Sequence, residues 1–149
     1  MAYKNTQFGY VTIFLMGMVM VFLGVIIQTA EILPAERPIL YAALLLFLFL
    51  FIIFSTLTVE VNRSELIWYY GPGIWKYRIP LENIKDITHV KSHPLEGFGI
   101  RWNPFKGWLY NVSGFNAINV IHKNGKSTRI GTPEPDKLID AIRQELSYI

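Results

Sequence analysis

The chain has 149 residues, a formal net charge of +3 and no cysteine, which excludes disulfides, zinc–thiolate sites and a cysteine nucleophile. Its content of 52% hydrophobic and 15% aromatic residues exceeds what a soluble chain of this length needs, and the length allows one modest domain plus a membrane anchor.

The excess is concentrated near the N-terminus. No charged residue falls between Lys4 and Glu31, or between Arg37 and Glu60. The runs Val11–Ile27 and Ile39–Phe54 are apolar on every helical face, which suits lipid rather than one wet face. A hydrocarbon core of ~30 Å takes about 20 apolar residues as helix, so the pattern predicts two transmembrane spans at residues 9–30 and 38–57. The first run is longer than the roughly 7–15 residues of a signal-peptide core, and QTAEILPAE offers no small-x-small cleavage site, so a retained span is expected. EILPAERP carries two prolines that stop helices, predicting a short connection and a hairpin over residues 1–57.

The connection nets one negative charge, from Glu31, Glu36 and Arg37, while Lys4 and Arg63 flank the other ends. Basic residues stay cytoplasmic, so both termini and the domain after the spans are expected in the cytoplasm. The sequons at Asn62 and Asn111 matter only on a lumenal side. Gly17 and Gly24 lie seven apart, on one helix face. Small residues there let a second helix approach closely, and glycine is also generically frequent in membrane helices. The absence of charge within either span argues against an ion path or a proton relay.

From residue 58 to 149 the pattern is that of a mainly-β domain. TLTVEV alternates in β-branched form, LIWYY follows an Asn-Arg-Ser turn, and Gly71-Pro72-Gly73 reverses the chain into IWKYRIP. LENI precedes KDITHVK, and SHPLEGFGIRWNPFKG reads as a looser region. WLYNV, AINVIHK and KSTRI complete about seven strands, the last two joined by Asn124-Gly125, which predicts a type I′ hairpin turn. Thr132 is the expected N-cap of a final helix, with Pro133 at its first position and Glu134 and Asp136 complementing its dipole. Leu138, Ile139, Ile142, Leu146 and Ile149 form its apolar stripe.

Tyr69–Ile87, Gly97–Thr132 and Pro133–Ile142, in that layout, resemble the bacterial pleckstrin-homology-like (PH-like) membrane proteins, in which a two-helix hairpin precedes one PH-like domain. The resemblance implies a nearly closed barrel of about seven antiparallel strands plugged by the C-terminal helix. It implies no enzymatic activity and carries over no functional residue.

The residues themselves offer few chemical sites. His89 and His93 lie four apart beside Glu96, but on a strand that spacing spans about 13 Å, too far for one metal, and Pro94 blocks a helix. Ser113 lacks the G-x-S-x-G context of a nucleophile elbow, no carboxylate pair suits acid–base work, and GPG and GFG are not phosphate loops. No enzyme, cofactor, metal or small-molecule substrate is indicated. Interspersed charges of both signs leave no nucleic-acid footprint.

RWNPFKGW is the one unusual cluster. Arg101, Trp102, Phe105, Lys106 and Trp108 combine basic and aromatic side chains in one predicted loop. Such a loop can rest on anionic lipid headgroups, dock on a protein partner, or be structural. The expectation is a non-catalytic membrane protein whose cytoplasmic PH-like domain binds a membrane-protein partner or a second copy, as an accessory, assembly or scaffolding factor. Recognition of anionic lipid headgroups is the alternative.

Overall fold

A computed structural model describes residues 3–93, 96 and 99–148. Two apolar helices are followed by two sheets and a C-terminal helix. Helices α1 (Tyr10–Thr29) and α2 (Arg37–Phe54) have mean hydropathies of 2.6 and 2.4 and are long enough to cross a membrane. They pack as a hairpin, with Pro38 in the first turn of α2, where its missing N–H costs nothing. An added Cβ on Gly17 or Gly24 would meet nothing within 4 Å, so the glycine face of α1 does not pack against α2.

Two strands escape the sequence reading. β1 (Tyr3–Phe8) precedes the hairpin and pairs antiparallel with β2 (Thr56–Val61), which follows it. At the neck, the Gly9 amide donates to the Ser55 carbonyl at 2.8 Å. Both ends of the hairpin therefore lie on one side, and the boundary at residue 58 leaves an integral strand outside the domain. The second is β6 (Gly99–Asn103), within the stretch expected to be a loose loop.

Among the described residues the strands number nine and form two sheets. The first has the order β1-β2-β3-β4 and is antiparallel, with β3 at Glu65–Tyr70 and β4 at Lys76–Pro80. Ile74 and Trp75, expected at the start of β4, lie in the preceding turn. The second is mixed, with the order β5-β8-β9-β7-β6. Its strands are β5 (Ile84–Lys91), β6, β7 (Gly107–Asn111), β8 (Asn116–His122) and β9 (Ser127–Gly131). β7 and β9 run parallel.

In place of the expected nearly closed barrel of about seven strands, the two sheets do not close: among the described residues β1 and β4 edge the first sheet and β5 and β6 the second, none paired across to the other sheet. The core fills the space between the sheets, from Leu57, Val59 and Leu66 on one side to Ile118, Val120 and Ile130 on the other. Helix α3 (Pro135–Leu146) packs on β2, β5 and β8 and buries Leu138, Ile139 and Ile142. It starts later than expected: Glu134, not Thr132, is the N-cap residue, and Thr132 Oγ1 accepts from the Glu134 amide at 3.2 Å. Ile149, the last residue of the predicted stripe, lies outside the described residues.

The Asn124-Gly125 turn also differs. Gly125 has φ +83, but no non-glycine among the described residues has positive φ, so Asn124 cannot supply the first half of a type I′ turn. Instead the Gly125 amide bonds the His122 carbonyl at 2.9 Å and the His122 amide bonds the Lys126 carbonyl at 2.9 Å. This is a type I turn followed by a left-handed glycine, the three-residue hairpin.

Candidate functional site

The two openings between the sheets are sealed differently. On the β1/β5 side α3 lies across the gap, and Glu134 Oε2 accepts from Asn5 Nδ2 at 3.1 Å. On the β4/β6 side aromatic rings fill the space. Tyr77 of β4 and Tyr110 of β7 have ring centroids 4.7 Å apart across the gap, and Trp68 of β3 lies 5.6 Å from Tyr77 and 5.2 Å from Tyr110. Contacts of this kind are worth ~0.5–1.5 kcal/mol each beyond the area they bury. Burial and the neighbouring Tyr77 push the Tyr110 hydroxyl up to about 12, so it stays protonated at neutral pH.

Alternation extends this wall outward. Trp108 stands two residues from Tyr110, its ring 6.3 Å away, and pairs with Trp102 across the β6–β7 ladder. Trp102 is 63% exposed and Trp108 46%. The two indoles therefore form the rim of an open aromatic cleft along the edge strand β6.

RWNPFKGW is thus two strands and a turn, not a loop. Asn103 Oδ1 accepts from the Phe105 and Lys106 amides at 2.8 and 3.2 Å, fixing the turn locally. At its base Gly107 has φ +72, and a Cβ there would come within 2.0 Å of the Ser127 carbonyl oxygen. Only glycine fits. Phe105, at the tip, is 95% exposed.

The structure separates the five predicted residues. Arg101 lines a recess with Thr12, Met16 and Phe54 of the helices. Phe105 and Lys106 lie at the other end of the hairpin, in a hollow of about 410 Å³ on the outer face of the second sheet, beside Lys91 and Arg129. Arg129 is buried there and pairs with Glu96 at 2.9 Å, while Lys106 reaches the same carboxylate at 3.0 Å. Burial pushes the Glu96 carboxyl up, but hydrogen bonds from Lys106, Arg129 and the His93 amide outweigh it and hold it at about 2. With one carboxylate against three cations, this hollow has a positive excess.

Sequence reasoning missed Ile74, Trp75, Tyr77 and Ile100, which continue the cleft toward α2. The signal available was the apolar pair Ile-Trp directly after Gly-Pro-Gly, where turns are normally polar. Among the described residues no group of three or more histidines and carboxylates could hold a metal. No protein-family model and no curated protein matches the chain.

Proposed function

We propose that this is a non-catalytic integral membrane protein whose domain, PH-like in design, binds a protein partner through the β6 edge and its aromatic rim. The PH-like reading is supported by a predominantly antiparallel β domain followed by a C-terminal helix that covers one opening between its sheets. The observation that carries partner binding is the exposed Trp102–Trp108 pair, with Trp102 on the edge strand β6 and Trp108 opposite it on β7. Tryptophan anchors interface hot spots, and an open edge offers backbone groups to an added strand. The role would be that of an accessory, assembly or scaffolding factor, in a bacterial cell membrane with the domain in the cytoplasm. The excess of basic flanking residues supports that orientation.

Arg101, beside α1, favours a second reading in which the domain touches anionic headgroups. Salt separates the two. Attraction through a few basic residues is screened as the Debye length shortens to ~3 Å at 1 M salt, whereas an aromatic interface is not. A partner that stays with the detergent-purified protein at high salt, and is lost from the Trp102→Ala/Trp108→Ala variant, supports partner binding. Binding to anionic vesicles that high salt abolishes, with no retained protein, overturns it in favour of the lipid module.

A further inference from the structure

At its end nearest the helices the aromatic cleft deepens into a cavity of about 260 Å³ whose inner wall is α2 itself, through Phe49, Leu50 and Ile53. The opposite wall is the turn carrying Ile74 and Trp75, which are 60% and 61% exposed. That turn is fixed to the helix end. Gly71 has φ +52, and a Cβ on it would stand 2.5 Å from the Ile52 carbonyl oxygen, while its amide bonds the Thr56 carbonyl at 3.0 Å. The walls are thus held at a set distance by backbone contact. Phe49 and Ile52 are about half exposed on the same turns of α2, so the cavity is continuous with the surface that faces lipid if the helix spans.

We infer that this cavity takes a segment of one acyl chain of a bilayer phospholipid, seated between the last turns of α2 and the Ile74–Trp75 turn. The inference rests on the membrane-spanning reading of α1 and α2, not on the partner reading. Three observations select this occupant. The lining is apolar apart from tyrosine hydroxyls, which excludes a charged ligand. The opening continues the lipid-facing side of α2, so a chain reaches it without crossing water. Trp75 lines the cavity beside the last turns of α2, near the end of the span where tryptophan meets headgroups, and would lie beside the chain where it leaves the pocket. Because lipid tails are as apolar as the pocket wall, retention comes from packing and is sensitive to shape.

The test uses the full-length protein in phosphatidylcholine vesicles containing a trace of phosphatidylcholine with a photoactivatable diazirine at mid-chain. Crosslinked peptides are mapped by mass spectrometry. Lipid surrounding the spans labels α1 and α2 only. A chain in the cavity also labels Tyr77 and Ile100, which belong to β4 and β6. We expect that β-strand label in the natural protein, reduced about tenfold relative to α1 label in Ile100→Trp, which fills the cavity, and in Trp75→Ala, which removes an exposed wall. Label confined to α1 and α2, or β-strand label unchanged in both variants, overturns the inference. No label on α1 overturns the spanning reading beneath it.

Discussion

Lys4 and Glu60 face each other across the β1–β2 ladder, Nζ to Oε1 2.7 Å, although the whole helical hairpin separates them in the chain. Tyr69 of β3 donates to the same Glu60 oxygen at 2.7 Å, so one carboxylate ties three successive strands. The hairpin is therefore an insertion between two paired strands, and the domain closes around its base.

A domain beginning at residue 58 should consequently be unstable. It lacks β1 and the first residues of β2, and exposes Val59 and Val61 along a bare edge. Fusing residues 3–8 to residue 56 through a short linker should raise the melting temperature by on the order of 10 °C over the truncated form, for a ladder worth about 2 kcal/mol. Thermal circular dichroism of the two soluble forms decides this. Equal melting would mean that β1 contributes nothing.

Glycine substitutions should divide sharply by position. Gly107→Ala places a Cβ against the Ser127 carbonyl at a left-handed φ and should cost about 2–4 kcal/mol, read as an earlier chemical-denaturation midpoint of the domain. Gly17→Ala and Gly24→Ala meet open space and should leave that midpoint unchanged.

The Glu96 pair gives a pH signature. Its carboxyl is held at about 2 in the fold, below the ordinary 4.5. A depressed carboxylate stabilises the fold fully above 4.5, and that contribution is lost as pH falls through 4.5 toward about 2. Its size is on the order of 3 kcal/mol. Glu96→Gln should flatten the stability profile in this window. It should also cost about 3–5 kcal/mol at neutral pH, because the buried Arg129 charge loses its counter-ion. Denaturation midpoints measured across pH 2–6 for both proteins check the sign and the window.

The aromatic rim should be separable from stability. Neither Trp102 nor Trp108 is buried, so Trp102→Ala/Trp108→Ala should shift melting by only a few degrees. Tyr77→Ala or Tyr110→Ala, which opens the packed seal between the sheets, should cost about 3–5 kcal/mol. A double tryptophan variant that unfolds would reassign the rim to the core.

How legible this was in the sequence depended on whether a residue's setting is local. The spans announce themselves through uninterrupted apolar runs, and α3 through Leu138, Ile139 and Ile142 at helical spacing. β1 was hidden because KNTQF is polar and borders a span. Its pairing with β2 bridges the hairpin, and no window along the chain contains both. β6 was hidden by the glycines and proline around GIRWN. Its strand state comes from pairing with β7, and its role as an edge from the parallel β7–β9 register. The candidate site was half legible for the same reason. Trp102 and Trp108 stood out by composition, but their union with Tyr110, Tyr77 and Trp75 exists only once the two sheets face each other.

The most direct measurement places a photo-crosslinking amino acid at position 102 of the full-length protein in its native membrane, with position 85 on the exposed face of β5 as reference. Partner binding at the β6 edge predicts one discrete protein adduct at 102, absent at 85 and weakened by Trp108→Ala. Adducts to lipid alone at 102, or the same protein adducts at both positions, would contradict partner binding at the β6 edge.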